Sequence, residues 1–274
     1  MTQTKIEAFD SDSTEFTPKD CIGFTVTAGY AHFKKVGNNS AKPTYRIPPR
    51  TTIAGLLAGI LGYNRDTYYD LFQSKNSAVS VVPLNNPHSV SISTTTVNTK
   101  ADEAIKYVPP DVHYTKGVEA LTPESYVELD RQRDPYEMLV NPEYRVYVSL
   151  AAEDIERELF ERLSESRYHY SPSLGLSECL AEINDVERHS LSKVDGETIE
   201  VDSAVCEFDG SAVVPEPDVT VRRERSPLYM EATDGGGRRT TAFGNVAYAL
   251  EQDRTLTIKG QPAYDTGRHL VIFS

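Results

Sequence analysis

The 274-residue chain has no tryptophan and only three cysteines, Cys21, Cys179 and Cys206. They lie far apart and form no CxxC pair, so neither a disulfide framework nor a cysteine zinc site organises the fold. No apolar run approaches the roughly 18 residues that a membrane-spanning helix needs. The first residues, MTQTKIEAFDSDSTEFTPKD, are polar and acidic. They lack the charged-then-apolar layout of a secretory signal, so a cytoplasmic protein with no membrane partner is expected. Also missing are the phosphate-cradling GxGxxG and GxxxxGK[ST] runs, the zinc motif HExxH and the nucleophile elbow GxSxG. The six histidines, at 32, 88, 113, 169, 189 and 269, show no ligand spacing. No metal, no cofactor and no catalytic residue is therefore expected.

The most informative scarcity is local. Acids outnumber bases 41 to 28, and a net charge of −13 argues against a polyanionic partner. Yet residues 21–65 contain no Asp or Glu, while carrying Lys34, Lys35, Lys42, Arg46, Arg50 and Arg65. Carried on to residue 101, this segment nets +6, whereas the residues after it net −16. A basic patch inside an acidic shell is the simplest expectation. Arg (17) also exceeds Lys (11), which together with the acidic surface fits a very salty cytoplasm. The Debye length there would be about 3 Å at 1 M salt, so an RNA site would lean on stacking and close hydrogen bonds.

What is present centres on KPTYRIPPRTTIAGLLAGILG, residues 42–62. Pro48 and Pro49 fix two φ angles and remove two donors, so a helix can only start after them, with Thr51 and Thr52 able to cap free N–H groups. Ile53, Leu56, Leu57, Ile60 and Leu61 form a buried stripe at helical spacing. Gly55, Ala58, Gly59 and Gly62 form a second stripe of tiny residues. Each interior Gly costs a helix about 1 kcal/mol relative to Ala, which points to another backbone packed against that face. Arg46 and Arg50 fall where the positive helix end would favour an anion.

Along the chain, residues 1–20 read as a solvated arm and Cys21–Val36 as a long strand. A short helix over 64–73 and a strand at Ala78–Leu84 follow the glycine-rich helix. Residues 87–140 offer one hairpin arm, in which Val90, Ile92 and Thr94 alternate, and then a long irregular stretch of the sort that marks a functional projection. Glu143–Leu150 is a strand, and Ala151–Arg167 an amphipathic helix with Ile155, Leu159 and Leu163 inward. The helix's many acids are most simply a solvated face. A strand at Ala181–Glu187 completes a β-α-β, insertion, β-α-β order. The remainder is β-like, with strands expected at 198–214, 218–225, 254–259 and 269–273. The fold class is α+β: a ferredoxin-like or RRM-like N-terminal domain over 21–190 with 87–140 as an inserted projection, and a smaller β-rich part over 191–274. The RRM label concerns topology, since no RNP-type aromatic signature is present.

Candidate RNA-binding residues are Lys34, Lys35, Lys42, Arg46 and Arg50 for phosphates, with Tyr45 for stacking and Lys100 on the insertion. Arg222, Arg223, Arg238 and Arg239 rank second. The last two adjoin the run Gly235-Gly236-Gly237, but no Walker spacing follows. A metal-independent ribonuclease would need only a few Tyr, Lys and His side chains. Tyr45, His32, His88 and His113 are of the right types near the basic patch, though nothing in the sequence singles them out.

Three segments carry a family resemblance: RIPPRTTIAGLLAGILG (46–62), VNPEYRVYV (140–148) and SPSLGLSECLAEI (171–183). In this order they resemble the CRISPR-associated Cas5 family, and most closely its type I-B branch from salt-loving archaea. The resemblance implies that the 87–140 insertion is a β-hairpin thumb, and that the chain is a non-catalytic subunit at the foot of a Cascade complex, gripping the 5′ handle of the crRNA in antiviral defence. It implies a Cas7-type backbone subunit and a Cas8-type large subunit as neighbours. The type I-C branch uses Cas5 itself as the nuclease that processes precursor crRNA, through a Tyr and a Lys-His pair. No Lys-His dipeptide occurs in this chain. A third reading, a scaffold docking a partner on the glycine face, makes any RNA contact incidental.

Overall fold

Ile22, Phe24 and Val26 alternate with Cys21, Gly23 and Thr25, and a period of two gives a strand two distinct faces. This is β1 (Asp20–Ala28), the inner strand on which the molecule is built. A computed structural model describes residues 16–35, 42–97, 131–207, 212–234, 237–251 and 254–274. After β1 and the short β2 (Tyr30–Ala31) come helix α1 (Arg50–Leu61), β3 (Ser77–Pro83) and the pair β4 (Ser89–Val97) and β5 (Arg131–Val140). β6 (Glu143–Leu150), α2 (Glu153–Ser164) and β7 (Ala181–Ser190) follow. One four-stranded sheet has the order β3-β6-β1-β7, and every neighbouring pair in it is antiparallel.

The even-numbered face of that sheet meets both helices. Phe24, Val26, Tyr144, Val146 and Val148 pack with Ile53, Leu57 and Ile60 of α1 and with Leu159 and Leu163 of α2. All five apolar positions of the α1 stripe are buried. Full burial of a side chain such as Leu57 removes its apolar surface from water and contributes about 2 kcal/mol.

The opposite face is also covered. β8 (Ser192–Val194), β14 (Ala263–Asp265) and β15 (Leu270–Val271) form a small sheet over it. Cys21, Val82 and Tyr147 pack there with Val271, Tyr264 and Phe273. The remaining strands are β9 (Ile199–Val201), β10 (Val205–Glu207), β11 (Val221–Ala232), β12 (Arg238–Ala249) and β13 (Leu256–Ile258). β11 and β12 form a long ribbon edged by β10, and β9 pairs with β13. Their apolar residues build a second core around Val201, Val205, Ala247, Leu256 and Ile258.

Several local expectations change. The expected strand over 21–36 stops at Ala28, and only Tyr30–Ala31 continues it. The stretch expected to be irregular after Lys100 is not so throughout, because its end, β5, pairs with β4 from Ser89↔Leu139 to Val97↔Arg131. Residues 98–130, the rest of the insertion and the position of Lys100, lie outside the described residues. Thr51 and Thr52 do not cap α1. Pro49 is its N-cap, and the Pro49 carbonyl accepts from Thr52 and Ile53. β12, a twelve-residue strand, was not expected at all. The segment 64–73 yields only a single 3₁₀ turn, Asp70–Phe72.

Candidate nucleic-acid interface

The small-residue face of α1 splits in two. At its C-terminal end another backbone does approach, since the N–H groups of His169 and Tyr170 donate to the carbonyls of Ile60 and Gly59, both at 3.2 Å. Gly62 ends the helix with φ +85°, and a Cβ there would lie 2.8 Å from the His169 ring. Further up, no backbone among the described residues packs on Gly55, whose added Cβ would meet only the Tyr68 hydroxyl at 3.3 Å. Thr51, Thr52, Gly55 and Gly59 are half-buried and floor an open cleft of about 550 Å³. The expected close backbone is therefore present at only one end of the stripe.

The cleft walls come from distant parts of the chain. Lys34 stands exposed on one side, and Arg238, at the start of β12, on another. Tyr170 and Tyr68 flank the floor, with the Ser171–Leu176 loop beyond them and Met230 and Thr240 of the ribbon opposite. Tyr170 is 55% exposed, one of three large hydrophobic side chains so exposed among the described residues. Its ring packs edge-on against His169, leaving an aromatic surface at the cleft. Burial raises the Tyr68 hydroxyl above its usual range, although nearby Arg238 pulls it down. Tyr68 is thus a neutral hydroxyl that can donate or accept.

His32 also lines the cleft and is almost fully buried. Its Nδ1 lies 2.8 Å from the Glu137 carbonyl oxygen, so Nδ1 carries the proton and donates. Nε2 has no hydrogen-bond partner among the described residues. Burial lowers the pKa, and the ring is neutral near pH 7.

The predicted basic residues do not share one groove. Lys34 and Arg238 meet in the cleft. Lys35 pairs with Glu224 at 2.6 Å, and the same carboxylate accepts from the Arg46 backbone N–H at 3.0 Å. The Arg46 guanidinium donates to the Pro87 carbonyl at 2.6 Å, lining a different cavity. Lys42 lies 4.0 Å from Asp134, with its side chain 14% exposed. Arg222, Arg223 and Arg239 are exposed on the ribbon, and Arg239 pairs with Glu231.

Two of the expected roles are corrected outright. Tyr45 is a core residue at 5% exposure, with Lys35 over its ring at 5.3 Å. It has no free face for a base. Arg50 is turned into the interior, where its guanidinium donates to the carbonyls of Ser274, Phe72 and Ser77 and to the Ser77 hydroxyl. It also lies 5.0 Å over the Tyr229 ring. A cation so enclosed joins α1 to β3 and β11 and leaves nothing for a phosphate. Sequence reasoning also missed Tyr68, Tyr170, Thr51 and Thr52 as cleft residues. Their only signal is position, beside the glycine helix or the Pro/Gly turn after α2.

A family model described as CRISPR-associated protein (Cas_Cas5) matches residues 21–214. The chain belongs to the Cas5 family of CRISPR-associated proteins. This Cas5 protein is similar in fold to a crystal structure of a CRISPR protein from Archaeoglobus fulgidus, at 14% identity and a TM-score of 0.50, over 92% of this chain and 97% of that one. A chain of a CRISPR RNA-guided surveillance complex aligns at 14% identity and a TM-score of 0.48, over 86% of this chain and 91% of the other. No curated protein matches the sequence. Among the described residues, no helix is long and apolar enough to cross a membrane, and no group of three His, Cys, Asp or Glu side chains could hold a metal ion.

Proposed function

We propose that this Cas5 protein is a non-catalytic crRNA-binding subunit of a type I-B Cascade complex from a salt-loving cell, holding the 5′ handle against the open face of α1. Membership of the Cas5 family supports a role in a CRISPR effector complex. The observation that carries the RNA reading is the cleft itself. It is floored by small residues, flanked by Tyr170 and Tyr68, and has Lys34 and Arg238 on its walls. A backbone-hugging floor, aromatic surfaces and a few cations are what single-stranded nucleic acid needs. The sheet order β3-β6-β1-β7 supports a ferredoxin-like, RRM-like N-terminal half. The covered back face supports a binding surface other than the usual RRM sheet. The β4–β5 pair is the stem of the thumb, and a Cas7-type backbone subunit and a Cas8-type large subunit are the neighbours.

The test is the double variant Lys34→Ala/Arg238→Ala. Both side chains are exposed, so the circular dichroism spectrum and thermal midpoint should stay as in wild type. Retention of handle RNA should fall by about tenfold or more, because two close phosphate contacts are lost. Undiminished retention of crRNA by the folded double variant would sink this reading.

The alternative, a metal-independent endoribonuclease processing precursor crRNA, draws on the His, Lys and Tyr side chains in the same cleft. The burial of His32 and the raised Tyr68 hydroxyl favour the binder, since neither supplies an accessible base. Incubation with precursor repeat RNA in EDTA separates the two readings. A discrete cut would make the protein an enzyme.

A further inference from the structure

The edge of a sheet is a row of free N–H and C=O groups, and folded proteins blunt it with charge, proline, bulges or cover. Three long edges here are blunted. Along β3, Ser274 exchanges hydrogen bonds with Val79, and the Ala204 N–H donates to Val81. β7 is bulged opposite Gly23–Thr25, with Asp185 at φ +50°, and it exposes Glu182, Glu187 and Arg188. β11 carries Arg222, Arg223, Arg225 and Pro227. β4 has none of these devices. It lies at one side of the β2-β5-β4 sheet, and its sequence, SVSISTTTV, holds no charge, proline or glycine. Residues 76–99 contain no Asp, Glu, Lys or Arg, in a chain of which 25% is charged. The bonding of β5 fixes which β4 groups are free. The Val140 N–H donates to the His88 carbonyl at 3.0 Å, while the Glu137 N–H and the Pro135 carbonyl both bond Lys42 on the far side of β5. Antiparallel bonding alternates, so Val90, Ile92 and Thr94 bond β5, and Ser91, Ser93 and Thr95 turn N–H and C=O away from it. No described residue bonds those outward groups.

We propose that the free chain pairs through this edge with a second copy of itself, β4 against β4, antiparallel about a two-fold axis at Ser93. The strand is complementary to its own reverse. With Ser93 opposite Ser93, Ser91 meets Thr95, and each of these facing pairs exchanges both main-chain bonds. On the other face Ile92 meets Thr94. Such hydroxyl and β-branched pairs favour strand pairing, and no like charges are brought together. Charge selects the second copy over an acidic or a basic partner, because the edge offers nothing to either. A two-fold contact uses the same patch on both copies, so it closes at a dimer and does not propagate into a fibre. The edge is smaller than a standard interface, and a net charge of −13 on each copy opposes approach. The dimer is therefore weak and reversible, and it strengthens as salt screens that repulsion. It makes no use of the α1 cleft and does not depend on the RNA reading.

Sedimentation of the full chain over a concentration series, at low and at high salt, reads the association. Wild type should pass from monomer to dimer, and at lower concentration in high salt. Ser93→Pro removes one outward N–H per copy and leaves the bonds to β5 in place. It should raise the dissociation constant about thirtyfold, since two hydrogen bonds are lost. Ser93→Lys alters only an exposed side chain and sets two cations face to face, so it should fold as wild type and weaken pairing about fivefold. The register is read by oxidative cross-linking. Ser93→Cys should link to its own copy, because directly opposed, hydrogen-bonded residues lie about 5.5 Å apart at Cα, within disulfide reach. Thr95→Cys, two residues off the axis, should not. The native Cys21, Cys179 and Cys206 are buried and do not compete. A chain that stays monomeric at every concentration and salt overturns the pairing. So does a dimer unmoved by Ser93→Pro and Ser93→Lys, a Thr95→Cys link as strong as that of Ser93→Cys, or growth beyond the dimer.

Discussion

Arg50 and Lys34 sit in the same acid-free stretch of sequence and have opposite fates. Lys34 is in solvent. Arg50 is 5% exposed, with its charge spread over main-chain and hydroxyl oxygens and the Tyr229 ring. Arg50→Ala would strand those acceptors and is expected to destabilise the fold by about 3–5 kcal/mol, the usual cost of removing a buried hydrogen-bonded charge. Arg50→Lys keeps a cation but not the fork, and should recover only part of this loss. Urea unfolding measures both. A near-wild-type midpoint for Arg50→Ala with loss of RNA would reverse the assignment. A one-dimensional charge count could not distinguish these residues, because the acids that answer the basic stretch arrive from elsewhere in the chain. Glu224 is brought in by β11 and Asp134 by β5. Glu137 is also brought in by β5. Its carboxyl is pushed up by burial but held below the usual range by the Thr44 N–H, Ser89, Lys35 and Arg46.

At the scale of elements, glycine positions decide how wide the cleft is. Gly175 has φ +93°, and a Cβ there would lie 1.9 Å from the His32 carbonyl oxygen. Gly175→Ala must lift the Ser171–Leu176 loop, at a cost of about 2 kcal/mol or more, and should weaken RNA retention although it removes no charge. Gly59→Ala meets only the Tyr170 Cβ at 4.0 Å, so it should stabilise α1 by up to about 1 kcal/mol while crowding the cleft floor. Thermal melts with a parallel RNA pull-down read both effects; a destabilised Gly59→Ala would place that face against packed structure instead. Elements with strong periodicity were legible. The β6 bounds match the alternation of Tyr144, Val146 and Val148, and α2 follows its Leu159 and Leu163 stripe. β5 and β12 were not, since RQRDPYEMLV and RRTTAFGNVAYA mix charge, proline or glycine into strands that are held by their partners.

For the molecule as a whole, pH should report on one buried and one half-buried histidine. Desolvation lowers the pKa of His32 and of His269, whose Nδ1 lies 2.7 Å from the Tyr147 hydroxyl on β6. Below the ordinary imidazole value of about 6.5, the unfolded chain takes up protons that the folded state refuses. Stability is therefore level above that value and declines as the pH falls through the window down to the lowered folded values. Urea midpoints between pH 7.5 and 5.5 should drop for wild type and drop less for His32→Asn; equal slopes would mean that His32 is not buried neutral. The succession of the main strands and the two helices along the first 190 residues was readable from the sequence. How the later strands wrap it was not, because nothing local in residues 191–274 says which face they will cover.

That wrapping bears on the order of assembly. The N–H of Ser274 donates to Val79 and that of Val79 to Ser274, at 3.0 and 3.2 Å, a partnership across 195 positions of the 274-residue chain. Pairings this distant in sequence slow folding, since the intervening loop must close before they form. A nascent chain that has left the ribosome only as far as residue 190 would carry all four strands of the main sheet. It would still show Cys21, Val82 and Tyr147 to water, and Arg50 would hold its Phe72 and Ser77 acceptors while lacking the one on Ser274.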